Sequence, residues 1–185
     1  MPQPDERVTL RTERLLLRPF GPDDVQDRIA YASDPGWGRF LNSVPPPDIR
    51  HAEEFIAHRL LASWSTEAFF AIEFDTTVIG GIGLHVRDEN EIGTIDYGIT
   101  SAHWGKGLVP EAAKAVIDWG FPLYGLAKVY AVADLRNEQS LRVMEKVGMT
   151  REAVLRSHHK ARAGERVTDV YYGILREEWE GRKAR

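Results

Sequence analysis

The chain has 185 residues, of which 43% are hydrophobic and 28% charged, with a formal net charge of −4 at pH 7. This composition is typical of a globular chain with one buried core, and the negative balance argues against general binding of nucleic acid. The absence of cysteine excludes thiol nucleophiles, disulfides and cysteine-ligated metals. No apolar run approaches the roughly 18 residues of a membrane span, and the first residues lack a signal-peptide pattern. We therefore expect a single domain over residues 1–185, cytoplasmic and without a membrane partner.

The first third of the chain alternates between strand and helix patterns. Residues 12–20 predict a strand, and Asp23 is typical of the start of a helix that we expect to reach residue 33. Residues 34–49 contain several prolines and glycines among large apolar side chains, which favours an irregular loop that covers or binds something. Apolar residues with helical spacing predict a second helix over 51–64.

The rest of the chain predicts strands separated by helices. Strands 68–75 and 78–86 are separated by a two-residue turn at Thr76 and Thr77, which indicates an antiparallel hairpin. About seven strands and four main helices predict an α/β (α+β) fold around one central sheet, mixed but mostly antiparallel. The remaining predicted elements are strands 91–100, 127–134, 152–159 and 166–175, helices 110–121 and 137–148, and a short helix over 176–181.

A glycine-rich segment precedes the helix over 110–121, in the stretch HWGKGLVPEAAKAVIDWGF. Gly105 and Gly107 flank Lys106, and Pro110 is suited to the first helical position, where its missing N–H is no loss. The free N–H groups of 105–109, the helix dipole and the lysine charge predict a site for an anion such as a diphosphate. The alternative is a strand-to-helix turn without a ligand.

Nucleotide-binding motifs fit this segment less well. The Walker pattern requires Lys followed by Ser or Thr, whereas Gly107 follows Lys106 and no hydroxyl is available for magnesium. A dinucleotide fingerprint at Gly81 and Gly83 has Val86 in place of its third glycine. A diphosphate bound without magnesium is therefore favoured, and coenzyme A carries one. A magnesium-dependent phosphotransferase is the least favoured alternative.

Six segments in a fixed order extend the pattern over nearly the whole chain. They are TERLLLRPF, IGGIGL, WGKGLVPEA, NEQSLRVMEKVGM, REAVLR and TDVYYGILREEW. In their order and separation they resemble the GNAT N-acetyltransferases, and within that family the Rim-type enzymes that acetylate the N-termini of ribosomal proteins.

The resemblance implies acetyl-CoA as co-substrate and no metal. It implies that strands 91–100 and 127–134 splay apart to hold the pantetheine, and that Asn137 contacts the pantetheine arm. Asn137 can also act simply as a helix cap, and both roles are compatible. Trp104 stands where many relatives have Gln or Arg, and Val109 stands where many relatives have Gly or Ala. The implied cofactor residues are Tyr97, Gly98, Ile99, Trp104, Gly105, Lys106, Gly107, Leu108, Val109, Asn137 and Ser140.

The catalytic residues are also implied by the resemblance. Met144 stands where many relatives have a tyrosine that protonates the leaving thiolate, so this role is assigned to Ser140. His159 aligns with the glutamate base of Rim-type enzymes, and His158 would replace it if the alignment shifted by one residue. Asp96 is the second candidate base. The alternative for His159 is a surface histidine without a catalytic role. The alternative for Asp96 is a structural hydrogen-bond acceptor.

These residues predict an N-acetyltransferase that moves acetyl to a primary amine directly, within a ternary complex. An α-amine, with a pKa of about 7.7–8.0, needs less help from a base than a lysine, which favours a peptide N-terminus or a small molecule. Trp37, Phe40 and Leu41 are candidate walls for the acceptor, or simply pack under their loop. Asp169 and Tyr172 are interpreted as architectural. A non-catalytic acyl-CoA-binding module remains an alternative, and the oligomeric state is open, a homodimer included.

Overall fold

A computed structural model describes residues 5–41, 44–87 and 91–183. Its centre is one sheet with the strand order β1-β2-β3-β4-β5-β6-β8-β7. The expected mixed, mostly antiparallel sheet is confirmed, with eight strands among the described residues rather than about seven. The five α-helices are the four main ones and the short last one that the sequence predicted. The strands are β1 (Leu10–Arg11), β2 (Leu16–Pro19), β3 (Glu67–Phe74), β4 (Thr77–Arg87), β5 (Ile92–Ile99), β6 (Lys128–Asp134), β7 (Thr150–Lys160) and β8 (Arg166–Leu175), and the helices are α1 (Val25–Ala32), α2 (Ile49–Leu61), α3 (Leu108–Leu123), α4 (Glu138–Lys146) and α5 (Arg176–Lys183).

Most predicted elements form within about three residues of the predicted bounds, but the single strand over 12–20 is wrong. The chain turns at Thr12, whose hydroxyl accepts a hydrogen bond from the Leu15 N–H at 2.9 Å. This local bond reverses the backbone, so that Leu10 of β1 pairs with Leu17 of β2.

The predicted turn between β3 and β4 is displaced by one residue. Its two residues are Asp75 and Thr76, with φ of 48° and 66°, whereas Thr77 already belongs to β4. Positive φ at both central residues matches the right-handed twist of a hairpin, and an aspartate tolerates that conformation better than a second threonine.

The two faces of the sheet are covered by different helices. On one face, α1 and α2 cover a cluster that includes Phe20, Tyr31 and Ile56. On the other face, α3 and α4 cover the larger core, in which Phe121 and Met144 are fully buried. No helix within the described ranges is long and apolar enough to cross a membrane.

β5 and β6 form the parallel pair of the sheet, and they separate partway along their length. They pair only where Ile92–Thr94 meets Lys128–Tyr130. β5 nevertheless continues to Ile99 and β6 to Asp134, so their carboxyl halves are not paired with each other. The expected splay is therefore present, and it leaves strand backbone groups available to a ligand.

α3 begins at Leu108, two residues before the predicted start. Pro110 is consequently the third helical residue and not the first, which corrects the sequence interpretation. The position is still within the first turn, where an N–H has no intrahelical acceptor, so proline is tolerated for the reason given above. Gly107 caps the helix with φ of 79°, in the left-handed region that favours glycine.

Candidate active site

A cavity of about 750 Å³ opens where β5 and β6 separate, and it is lined from both faces of the sheet. Backbone and side chains of the two strands meet there with the start of α4 and with the loop that follows α1. The structure thus brings most of the predicted site residues together. Those on its lining are Trp37, Phe40, Leu41, Asp96, Tyr97, Gly98, Ile99, Trp104, Val109, Asn137, Ser140 and His159.

The glycine-rich segment lies beside this cavity, at the start of α3. Gly105 has φ of 75°, and a side chain there would meet nothing within 4 Å. The side chain of Leu108 is buried in the core, so only its backbone N–H is available to a ligand. An open loop with left-handed glycines and the unpaired N–H groups of a first helical turn fits a diphosphate.

Arg14, in the turn between β1 and β2, is a residue of this loop region that sequence reasoning missed. Its Nη1 donates to the Lys106 carbonyl at 2.9 Å, and its Nη2 lies 3.5 Å from the position of a β-carbon on Gly107. Glu111 holds the arginine in an ion pair of 2.6 Å. Arg14 precedes Lys106 by 92 residues, so no local pattern could have indicated this second positive charge.

Trp104 fastens the glycine-rich segment to the sheet. Its indole N–H donates to the Ile99 carbonyl, at the end of β5, at 3.0 Å. Val109 is partly buried against the core and lines the cavity, so its side chain narrows the space next to the loop. The two residues that depart from the family pattern therefore shape the cavity wall.

Two hydroxyl groups meet across the gap between β5 and α4. Asn137 caps α4 by accepting a hydrogen bond from the Ser140 N–H at 3.2 Å, as the sequence predicted. The Ser140 hydroxyl lies 3.1 Å from the Tyr97 hydroxyl. Burial raises the pKa of Tyr97 to about 12, so this phenol is neutral and can donate. Sequence reasoning assigned only backbone contacts to Tyr97 and missed its side chain.

Met144 is fully buried in the core and does not line the cavity. Position 144 therefore supplies no proton donor to the cavity. Ser140, one helical turn earlier, has the hydroxyl that α4 presents to the cavity.

His159 reaches the cavity because β7 is irregular. The register of β7 and β8 shifts between Leu155 and His159, and Ser157 has φ of 54°. His159 Nδ1 is hydrogen-bonded to Asp169 Oδ2 at 2.9 Å, and Asp169 is only 6% exposed. A buried carboxylate on one ring nitrogen orients a histidine and selects its tautomer.

The neighbouring residues clarify two sequence interpretations. His158 is outside the cavity lining, and its ring lies edge-on to Tyr171. The structure therefore places His159 and not His158 at the cavity. Asp169 lines the cavity and orients His159, whereas the Tyr172 hydroxyl donates to Glu145 at 3.0 Å and ties β8 to α4.

Asp96 lies on the opposite side of β5 from Tyr97, because side chains alternate along a strand. It is exposed and accepts a hydrogen bond from His85 Nε2 at 2.5 Å. The carboxylate therefore already has one partner while it lines the cavity.

The predicted acceptor walls lie on this same side of β5. A β-carbon on Gly98 would come within 3.0 Å of Trp37 Nε1, so the glycine permits the indole to contact the strand. The loop is held by Asp34, which accepts hydrogen bonds from the Ser101 N–H and, at 3.0 Å, from its hydroxyl. Burial acts to raise the pKa of Asp34, but these hydrogen bonds outweigh it and lower the pKa.

The described residues contain no group of three His, Asp or Glu side chains arranged to hold a metal ion.

Comparison with known proteins agrees with the geometry. A family profile described as "Acetyltransferase (GNAT) domain" matches residues 14–150. The "Uncharacterized N-acetyltransferase p20" of Bacillus licheniformis is 33% identical over 94% of this chain and 99% of its own length. The "Putative ribosomal N-acetyltransferase YdaF" of Bacillus subtilis is 34% identical over 60% of each chain. A GNAT-family acetyltransferase structure from Bacillus anthracis, 26% identical, superposes with a TM-score of 0.80 over 92% of this chain and 100% of that one. The chain is therefore an N-acetyltransferase of the GNAT family, and acetyl-CoA is its acetyl donor.

Proposed function

We propose that the enzyme transfers acetyl directly from acetyl-CoA to a primary amine of a peptide N-terminus or a small molecule, within a ternary complex. One observation carries this proposal: a serine hydroxyl and a carboxylate-oriented histidine line the same cavity at the separated ends of β5 and β6. The serine is suited to protonate a leaving group, and the histidine to accept a proton.

The binding groups follow from the arrangement of the loop and strands. Acetyl-CoA supplies an activated acetyl thioester. The N–H groups at the start of α3, with Lys106 and Arg14, are assigned to its diphosphate. The β5 backbone at Tyr97–Ile99 does not pair with β6, so we assign it to the pantetheine and to the thioester oxygen as that oxygen gains charge.

The chemical step moves two protons. The neutral amine attacks the thioester carbonyl, a C–N bond forms, and the C–S bond breaks. His159 accepts the proton that the amine loses, and Ser140, held in place by the Tyr97 hydroxyl, donates one to the departing sulfur. Solvent then takes the proton from His159 and returns one to the Ser140 oxygen. Asp96 is the second candidate base, and its side of β5 is also where we place the acceptor. A covalent acetyl-cysteine route requires a cysteine, which the sequence lacks.

The similarity to YdaF, whose name describes a putative ribosomal N-acetyltransferase, supports a Rim-type activity. We place this activity in the cytoplasm, with a peptide N-terminus as one acceptor. Trp37, Phe40 and Leu41 are assigned to the acceptor because they line the cavity on the far side of β5 from α4. A homodimer is part of this proposal and is testable by light scattering, which would show a mass of about twice 20.9 kDa.

A coupled thiol-release assay over a panel of amines and peptides tests the proposal. We expect release of coenzyme A that depends on an acceptor with a free amine. Binding of acetyl-CoA without turnover on any acceptor would contradict it and favour a non-catalytic binding module.

His159→Gln tests the assignment of the base, and His158→Gln is a matched control on the same strand. We expect His159→Gln to lower kcat by about 100-fold or more, the usual contribution of a general base. His158→Gln should leave kcat unchanged, because that ring is outside the cavity lining. A large loss in Asp96→Asn together with full activity in His159→Gln would assign the role to Asp96.

A further inference from the structure

Arg28 of α1 is a buried positive charge without an ion-pair contact to any residue that the structure describes. It is 3% exposed, and its Nε has no hydrogen-bond partner among the same residues. The nearby acids on its own segment are already engaged. Asp24 accepts from Arg18 at 2.7 Å and from the Gly21 N–H, and Asp27 accepts from the Val78 N–H at 2.7 Å. Within the described ranges, no carboxylate forms an ion pair with Arg28.

Aromatic rings surround the guanidinium instead. Its carbon lies 4.9 Å from the ring centre of Tyr31, 5.1 Å from Trp37 and 4.5 Å from Phe55. Ring faces attract a cation, but they carry no net negative charge. The positive charge of Arg28 is therefore stabilised by the rings, without an ion-pair contact to any described carboxylate.

Arg59 of α2 adds a second guanidinium to the same cluster. It lies 5.0 Å from the ring centre of Phe55 and 4.0 Å from that of Phe69, and its Nε is also buried without a hydrogen-bond partner. Burial lowers the pKa of Arg59, the charges of Asp96 and Tyr31 act in the opposite direction, and the charge of Arg28 adds to the lowering. Glu67 pairs with Arg59, so the two arginines share one carboxylate in ion-pair contact.

The rings around these arginines are also walls of the active-site cavity. Tyr31, Trp37, Phe55 and Phe69 all line it, on the side of β5 that carries Asp96. The Arg28 guanidinium thus lies behind the wall of the proposed acceptor half, and the Asp96 carboxylate lines the same half at β5. Because the guanidinium is buried, water screens its charge less than it would screen a surface charge.

We propose that the acceptor carries an anionic group, a carboxylate or a phosphate, which binds against the Tyr31–Trp37–Phe55 wall in front of Arg28. This inference rests on the proposed acetyl transfer to an amine, and it narrows the acceptor class. The amine end of such a molecule lies toward β5 and the anionic end toward α1. A polyamine is disfavoured, because its additional positive charges would face Arg28.

Calorimetric titration of the protein saturated with coenzyme A, which carries no acetyl group and allows no turnover, tests the proposal. The first pair of probes is phenylalanyl-alanine and its C-terminal amide, and the second is O-phosphoserinamide and serinamide. We expect at least one anionic member to bind about 10-fold more tightly than its neutral partner, and the pair concerned distinguishes carboxylate from phosphate. Equal affinities in both pairs, tighter binding of the neutral members, or no binding by any member would overturn the proposal.

Three variants connect the preference to Arg28. Arg28→Met should reduce the ratio of the neutral probe's Kd to the anionic probe's Kd to about one, and Arg28→Lys should retain most of that ratio. Arg50→Met is the control and should retain all of it, because Arg50 is exposed and pairs with Glu54. A merely structural Arg28 predicts a different result. In that case Arg28→Met lowers the Tm while the folded variant keeps the preference, which would overturn the proposal.

Turnover with acetyl-CoA is measured separately on the same probes. An anion preference in binding without any acetylation would contradict the proposed function and leave the anion site intact. Acetylation of the neutral and anionic members with equal kcat/KM and equal affinity would preserve the acetyltransferase proposal and overturn the anion site.

Discussion

The hydroxyl pair of Tyr97 and Ser140 has its arrangement set by three local features. Asn137 fixes the first turn of α4, and thereby the direction of the Ser140 side chain. The alternation of side chains along β5 places Tyr97 on the same face as Ile95 and Ile99, toward α4. Because burial keeps the Tyr97 phenol neutral, its O–H can donate to the Ser140 carbonyl at 3.3 Å, and its oxygen lies 3.1 Å from the Ser140 hydroxyl.

Ser140→Ala and Tyr97→Phe test this arrangement. We expect Ser140→Ala to lower kcat by about 100-fold, as loss of a general acid does, with little change in the affinity for acetyl-CoA. Tyr97→Phe should lower kcat by about 10-fold, and the double variant should resemble Ser140→Ala because both act through one group. Steady-state kinetics and calorimetry measure the two effects. If Ser140→Ala leaves kcat unchanged, the assignment of the acid is wrong.

At the scale of elements, the start of α3 is where we propose that the donor binds. Two left-handed glycines keep the backbone N–H groups open, while Trp104 and Arg14 fasten the segment to β5 and to the turn after β1. The segment is therefore held from both sides before a ligand arrives, which limits the ordering cost of binding.

Gly107→Glu should abolish detectable binding of coenzyme A. The new carboxylate would lie next to Arg14, the cation assigned to the diphosphate, and would repel the diphosphate from that position. Gly125→Glu is a matched control, because Gly125 also has positive φ and open surroundings but follows the other end of α3, about 24 Å away along a helix of this length. Both variants carry a similar backbone strain of about 1–2 kcal/mol. Equal binding of coenzyme A by the two variants would contradict the assignment of the loop.

At the scale of the whole molecule, the site exists because one continuous sheet has a gap between the carboxyl halves of β5 and β6. β4 joins β5 along its full length, while β6 leaves β5 after three residue pairs and continues with β8. The helices cover the two faces of the sheet beside the gap, with α3 and α4 on the side assigned to the donor and α1 and α2 on the side assigned to the acceptor. A ligand that spans the gap connects the two halves of the sheet.

Coenzyme A should therefore raise the Tm of the whole protein in one cooperative transition. A ligand present at about 100 times its Kd adds about 2.7 kcal/mol to the free energy of unfolding, which corresponds to roughly 5–10 °C for a chain of this size. Differential scanning fluorimetry with coenzyme A and, in parallel, with Mg-ATP measures this. Stabilisation by Mg-ATP and none by coenzyme A would instead indicate a phosphotransferase.

The features that the sequence by itself determined are those that depend on neighbours within one or two turns of chain. The cap at Asn137 was predicted correctly, because it depends on a hydrogen bond to Ser140, three residues along the chain. The alternating strands and the helices were likewise recognisable from their periodicity. The turn at Thr12 was missed because it depends on one side-chain hydrogen bond within an otherwise strand-like segment.

Tertiary structure alone decided which side chains meet. A bulge in β7 places His159, and not His158, at the cavity. The order of the strands brings Tyr97 to Ser140, and the packing of α1 and α2 places aromatic rings around Arg28. The partners in these contacts are separated along the chain, or depend on the register between two strands. Their positions therefore follow from the packing of the whole sheet with its helices, which no local pattern of residues specifies.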